Sequence, residues 1–424
     1  MGGLAQALQQ RGHEVCFACL PEVVDWFEQR QLPVLVYSQE GASSRRLQQL
    51  QDELARLSGE AAVSQAVAIN MLLARALMEE PSSTWTRSPW DLWIVDQLDY
   101  AAASLARFLD QPFATAVLTL LRNPEPGVPG FNARVQRASP KGRRREQESL
   151  SRLVAPYLEQ LDRYRQRWQL SPFSYETIWS ELAQVSQQPA FLEFPRQHLP
   201  GCFHFTGPFG LQRPEAGRDF PWHRLTGEKL VYVSFGTAQR APSRVYSALW
   251  QAARQLPVQF VCSRGGQPAD EAFFPPPPPQ VLVVETAPQL QLLQIASAAV
   301  THAGMNSTLE SLAAGVPLLA LPLAHDQPGV ALRIEWSGVG LRLDPEDEEL
   351  ENRVHEALLQ LLERPDLASR ARQAARQIEQ EQGLERACEI IDRVARTRRP
   401  VRTLDLRVDS SFEPPGRPEK RSSK

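Results

Sequence analysis

Short apolar runs alternate with stretches in which apolar residues recur at helical spacing, and this alternation continues along most of the chain. Residues 2–11 have Leu4, Ala7 and Leu8 on one helical side, and Gly12 ends that segment. Residues 14–20 and 32–37 read as strands, 43–58 and 63–79 as helices, and 92–96 as a strand ending in the acid Asp96. A helix beginning near Ala101, a strand over 113–117 and a long polar helix over 147–169 follow. Pro156 lies inside that last helix and is expected to kink or interrupt it. After a strand over 202–206 and a Pro- and charge-bearing stretch over 210–228, the alternation restarts. Strands are expected at 230–234, 258–262, 281–284, 298–301, 316–321 and 339–343, with helices at 243–256, 307–314 and 330–336 and three more to about Ala395. Strands alternating with helices define an α/β chain with parallel sheets. The 424 residues suffice for two such domains, 1–208 and 209–395. Residues 396–424 mix Arg, Pro, Ser and acids without periodicity and are expected to be disordered.

Composition narrows the partners. The net charge of −3 gives no general electrostatic case for nucleic acid. No uninterrupted apolar run reaches the roughly 18 residues of a membrane span, so no spanning helix is expected, and no secretory signal is visible. Cys16, Cys19, Cys202, Cys262 and Cys388 are few and odd in number, which suits a reducing cytoplasm. Cys16 and Cys19 point to opposite faces of a strand and read as core thiols. The basic cluster 141–145, after a Pro/Gly-rich loop over 123–140, is expected in a solvated loop that could touch an anionic membrane surface.

Chemistry concentrates between Val300 and Gly329. A strand runs into a Gly turn, a helix, a second Gly turn, a second strand and a polar loop. His302, Gly304, Asn306 and Ser307 occupy the turn into the helix, where free N–H groups and the helix dipole attract anions. Glu310 lies one turn further on, able to accept from sugar hydroxyls. Asp326 and Gln327 reach the same carboxyl edge of the sheet, where open α/β sheets bind ligands. Taken singly, Asn306 and Ser307 read equally well as helix caps, and His302 as a strand-end histidine.

Taken together, His302, Gly304, Asn306, Ser307, Glu310, Pro317, Asp326 and Gln327 resemble the donor-binding motif of the family 1 glycosyltransferases, the UDP-glycosyltransferases. The form A-L-P-L-A-H-D-Q-P-G, with Gln289 upstream, looks most like the bacterial zeaxanthin-glucosyltransferase-like branch. The resemblance implies the GT-B fold, two Rossmann-like domains facing across a cleft. It implies inverting transfer of a hexose from a UDP-sugar co-substrate to an acceptor hydroxyl, with no metal or other cofactor, and a D-x-D metal motif occurs nowhere in the chain. In this reading Gly236 and Thr237 of S-F-G-T form the first donor loop, Ala287 and Gln289 read the base, and Asp326 and Gln327 hold sugar hydroxyls. Thr286 stands where the family has an aromatic residue that stacks on uracil. Asp96, in I-V-D-Q, matches the aspartate that orients the family's catalytic histidine. The strand and Gly-His turn that precede the first helix in the family are not found before Gly2, so a longer reading frame is expected, and a sheet of order 3-2-1-4-5 lacking its central strand would show two unpaired edges. The expected acceptor is a hydroxylated apolar molecule such as a carotenoid, met by a cytoplasmic protein with possible peripheral membrane contact. Alternatives are an enzyme resembling UDP-GlcNAc 2-epimerase and a catalytically idle nucleotide-sugar-binding protein.

Overall fold

Strands buried at every position need helices on both faces, and that condition sets the frame of the second half of the chain. In the computed structural model, which describes residues 1–29, 32–37, 41–54, 57, 59–79, 85, 90–133, 140–211, 219–237, 240–266 and 274–403, two parallel α/β units follow one another. The first contains α1 (Gly2–Gln10), β1 (Phe17–Cys19), α2 (Val24–Glu28), β2 (Val34–Val36), α3 (Gly41–Leu54), α4 (Gly59–Met78), β3 (Trp93–Asp96), α5 (Tyr100–Phe108), β4 (Phe113–Val117), α6 (Pro140–Arg167), β5 (Gln184–Ser186) and β6 (Phe203–Phe205). The second contains β7 (Leu230–Ser234), α7 (Ser243–Gln255), β8 (Gln259–Ser263), β9 (Val281–Val284), α8 (Gln289–Ile295), β10 (Ala296–Thr301), α9 (Met305–Ala313), β11 (Leu318–Ala320), α10 (Gln327–Ser337), β12 (Gly340–Arg342), α11 (Leu350–Glu363), α12 (Pro365–Glu381) and α13 (Gly383–Thr397).

The second sheet has the order β12-β11-β10-β7-β8-β9. This is the doubly wound order, whose direction reverses between β7 and β10 and opens a ligand crevice at their carboxyl ends. The first sheet is in two pieces, β1–β2 and β3-β4-β5-β6. Among the described residues no strand joins β1 to β3.

Most elements fall where the periodicity put them. Pro156 does not interrupt α6, which runs continuously from Pro140, so residues 141–145 lie in a helix; their side chains lie outside the described residues. The strand β5 and the helix α8 were not anticipated: Q-V-S has too little apolar character, and Q-L-Q-L-L-Q-I alternates like a strand. α10 begins at Gln327 with Asp326 as its N-cap at the end of the loop, so Gln327 opens a helix and does not sit in the polar loop. Residues 398–403 are ordered: Val401 N–H donates to the Leu182 carbonyl and Thr403 N–H to the Gly201 carbonyl. The remainder of the expected disordered tail, and part of the linker, lie outside the described residues. α4 is long and apolar enough by composition to cross a membrane, with 33% of its most apolar window buried. The expectation missed it because Ser64, Gln65 and Asn70 break the run. In this fold α4 packs against the α6 and α5 side through Val67, Ala74, Leu77 and Met78.

Two features tie the units together. α13 returns to the first unit and buries Cys388, Ile391 and Val394 with Leu4 and Leu8 of α1. Gly383 makes the crossing possible, because a Cβ there would lie 2.5 Å from the Gly207 carbonyl carbon. Across the cleft, Arg333 on α10 donates Nε to Glu193 Oε2 at 3.0 Å and Nη2 to Oε1 at 2.6 Å. Both side chains are buried. Removing one partner strands a buried charge, so Glu193→Ala should lower unfolding free energy by about 3–5 kcal/mol. Urea unfolding followed by tryptophan fluorescence checks this, and a loss below about 1 kcal/mol would show that the pair does not hold the units together.

Candidate functional site in the interdomain cleft

The carboxyl ends of β7 and β10 bring Gly236 and His302 together at the switch point. Ala303 follows with a left-handed backbone, φ 64°, and turns the chain into α9, whose N-cap is Gly304 with no side-chain cap. The Thr308 N–H bonds the Gly304 carbonyl at 3.0 Å. The N–H groups before it are the orphan donors of a helix start, aimed at the cleft with the positive end of the dipole. The His302 ring is confined by glycines: a Cβ on Gly304 would lie 2.5 Å from its Nε2, and one on Gly236 2.9 Å from its Cε1. Burial pushes His302 down to about 4, against the opposing pull of the Asp326 carboxylate. The ring is therefore neutral at physiological pH and able to donate one N–H to an anionic oxygen.

The second loop, between β11 and α10, carries His325 at φ 57° and Asp326 as N-cap. Asp326 Oδ2 accepts from Leu120 N–H of the first unit at 3.2 Å. Gln327 folds its amide oxygen back onto Leu323 and Ala324 N–H at 2.8 and 2.9 Å. That oxygen shapes the loop, which narrows the expected contact between Gln327 and sugar. Asn306 Oδ1 accepts from Gln187 Nε2 of the first unit at 3.0 Å, while Ser307 lies half-buried at the opening of α9.

The base-reading residues are arranged differently from the expectation. Tyr232 Oη donates to Gln289 Oε1 at 3.1 Å, and Gln289 Nε2 donates to Glu310 Oε2. Gln289 and Glu310 thus satisfy each other beneath the site, and the side chain of Glu310 is buried there. Ala287 is buried beside them. Thr237 is exposed after Gly236, whose φ is 76°.

Asp96 ends β3 on the opposite wall. Leu98 N–H donates to its Oδ1 at 2.8 Å. Burial raises its proton affinity, while that hydrogen bond and Arg122 oppose the rise. Among the described residues no histidine is hydrogen-bonded to Asp96. Between the walls lies a cavity of about 260 Å³ lined by Gly59 and Val63 of α4, Leu150 and Leu153 of α6, and Ala324 and His325 of the second unit. Arg122, His325 and Gln187 were not singled out from the sequence. His325 adjoins the D-Q pair, and Arg122 follows β4 at the carboxyl edge, so position was the only available signal.

An anion seat at a helix start, a neutral imidazole and acids on a facing wall suit transfer of a group from a diphosphate. Solved structures share the architecture: the glycotransferase of kitacinnamycin superposes with TM-score 0.67 at 22% identity over 92% of this chain and 94% of that one. The glycosyltransferase VinC in complex with dTDP gives 0.62 at 19%, over 93% and 96%. The fold is that of the GT-B glycosyltransferases. The family model for UDP-glucoronosyl and UDP-glucosyl transferase matches residues 174–368. A zeaxanthin glucosyltransferase of Pseudescherichia vulneris is 28% identical over 92% of this chain and 93% of its own length. Another, from Pantoea ananas, is 31% identical over 59% of each. Residues 174–368 thus resemble the UDP-glycosyltransferases, and the chain as a whole is similar to zeaxanthin glucosyltransferases, in line with the resemblance of the motif.

The His302 environment has a thermodynamic signature. Between the ordinary value of 6.5 and about 4, the unfolded chain binds a proton that folded His302 does not. Stability from this group is therefore full above 6.5 and is lost as pH falls towards 4. Glu381, raised by burial to about 7, and Asp99, raised by burial to about 6, act in the opposite sense, losing stability as pH rises. The difference between wild type and His302→Asn isolates the first effect. Urea midpoints from pH 4 to 8 should fall more steeply on acidification in the wild type, and parallel curves would refute a buried neutral imidazole.

Proposed function

We propose that the chain transfers a hexose, glucose in the first instance, from a UDP-sugar to the hydroxyl of an apolar acceptor such as a carotenol, with inversion at the anomeric carbon. The observation that carries this reading is the uncapped start of α9 beside neutral His302, together with a cleft cavity whose α4 and α6 walls present Val63, Leu150 and Leu153 beside the hydrogen-bonded Ser149 and Glu60. The diphosphate would seat on the α9 N–H groups and His302, with Asn306 and Ser307 flanking it. The helix dipole and these donors would stabilise the departing negative charge, so the UDP-sugar serves as co-substrate with no further cofactor. Asp326, close to both histidines, is the acid placed to hold sugar hydroxyls. Asp96 would orient or assist the group that deprotonates the acceptor. Thr286 at the place of the stacking aromatic leaves recognition of the base to Ala287 and its neighbours. The apolar α4 supports contact with a membrane surface, where a carotenol would be presented to a cytoplasmic protein.

His302→Ala should weaken UDP binding by about 1–3 kcal/mol, the range for a hydrogen bond to a charged group. Isothermal calorimetry measures it, and unchanged affinity would remove His302 from the donor site.

A panel of carotenols, flavonoids, sugars and peptides, assayed with UDP-glucose by product mass, tests the acceptor class. Transfer is expected to carotenols in vesicles. Transfer only to soluble sugars or peptides would overturn the apolar assignment, and UDP binding with no transfer or hydrolysis would favour an idle binder.

A further inference from the structure

We propose that Gln187, directly after β5 in the first unit, is a positioning residue for the sugar donor: it fixes the side-chain amide of Asn306 so that the amide N–H2 group faces the diphosphate. This rests on the glycosyltransferase reading above and adds to the donor site a residue of the opposite unit.

Gln187 is held in place before it reaches the cleft. Its backbone N–H donates to the Val117 carbonyl at 3.1 Å, one step past the β4–β5 register. Its side chain is buried, and Nε2 donates to the Leu118 carbonyl. A carbonyl oxygen only accepts, so this contact decides which end of the Gln187 amide is nitrogen. The same nitrogen donates across the cleft to Asn306 Oδ1 at 3.0 Å.

The polarity is thereby handed on. Asn306 must present oxygen to Gln187, so its Nδ2 is left for the cleft. Turning the Asn306 amide round would set nitrogen against nitrogen, donor against donor, and would aim Oδ1 at an incoming anion. Asn306 is the second residue of α9 and is exposed. α9 has no side-chain cap, so the amide is not spent on the helix. Among the described residues nothing accepts from Nδ2.

The next residue secures the other ligand-facing helix. Gln188 donates Nε2 to the Leu192 carbonyl at 2.9 Å and to Glu193 Oε2 at 3.2 Å, and Glu193 receives the fork of Arg333 on α10. One short stretch after β5 therefore holds α9 directly and α10 through Glu193. An exposed asparagine amide would otherwise sample both orientations. Held by Gln187, it adds side-chain N–H donors to the orphan backbone N–H groups of the helix start, where an anion seats, and its ordering is complete before the ligand arrives. Because the bond crosses the cleft, a donor that needs this orientation binds the docked units better than parted ones.

Gln187→Met keeps the length of the side chain but donates nothing. It should weaken UDP binding about 3- to 10-fold by calorimetry, as for loss of one hydrogen bond. Uridine, which has no phosphate, should bind unchanged in a ligand-observed NMR titration. In an Asn306→Ala background the same substitution should cost nothing further, since the amide it positions is gone. Equal losses for UDP and uridine, or an undiminished loss in the Asn306→Ala background, would make Gln187 structural only and overturn the proposal. Asn306→Asp leaves Gln187 untouched, and an acid in the first helical turn favours the helix. It still accepts from Nε2 but presents a second oxygen to the cleft, so UDP affinity should fall at least about 10-fold, further than in Asn306→Ala. Wild-type affinity in Asn306→Asp would overturn the proposal. Wild-type protein that binds UDP no better than uridine would remove the donor site and the proposal with it, whereas tight UDP binding unaltered by Gln187→Met would overturn the proposal alone.

Discussion

The carboxyl edges of the two sheets face each other across the cleft, and one stripe of α10 docks them there. Asp326, Gly329 and Arg333 are spaced i, i+3 and i+7, so they share a helix face. Each meets the first unit: Asp326 takes Leu120 N–H, Gly329 N–H donates to the Phe131 carbonyl at 3.1 Å, and Arg333 forks onto Glu193. Gly329 has no alternative, since a Cβ would lie 2.2 Å from the Phe131 oxygen. Arg333 also donates to the Gly329 carbonyl and lies over the Phe194 ring. A buried pair of this kind gains little over apolar packing, but it specifies one docking geometry. The residues that dock the domains thus belong to the same short segment as the acid expected to hold the sugar.

The two ligand-facing loops share a second constraint. Ala303 and His325 both adopt positive φ without being glycine, at about 1–3 kcal/mol each. Each stands one or two residues before the first turn of a helix, so each turns a strand end sharply into a helix start. The fold maintains this strain by packing. Ala303 is fully buried, and His325 precedes a helix fixed at three points. Donor atoms are thereby positioned before any ligand arrives.

These features differ in how far the chain announces them. The βα alternation, the switch-point motif and the strands 113–117, 230–234 and 281–284 were legible because burial on both faces writes continuous apolar runs. The β5 strand was not, because Gln184 and Ser186 are polar residues buried by tertiary contacts. Pro156 misled because a proline's local effect was weighed without the packing that carries α6 through it. The roles of Gln289 and Glu310 could not be read from spacing, which places both near the site but does not show that they bond each other. Arg122 depends on which loops the cleft brings together, a property of two domains and not of any local pattern.

The electrostatics of the cleft run in one direction. The second unit offers a helix start and an imidazole that burial keeps neutral. The first unit offers Asp96, with Arg122 close enough to lower its proton affinity. Under the proposed transfer, a hydroxyl set between them would have a carboxylate behind it and a positive dipole end beyond the leaving group. Proton loss and departure of the diphosphate would then be favoured by the same field. A protonated His302 would strengthen the donor side further, but it would also hold the UDP product more tightly and slow its release. In that reading a neutral His302 divides the work: hydrogen bonding and the helix dipole would stabilise the charge that develops, without a full cation retaining it afterwards.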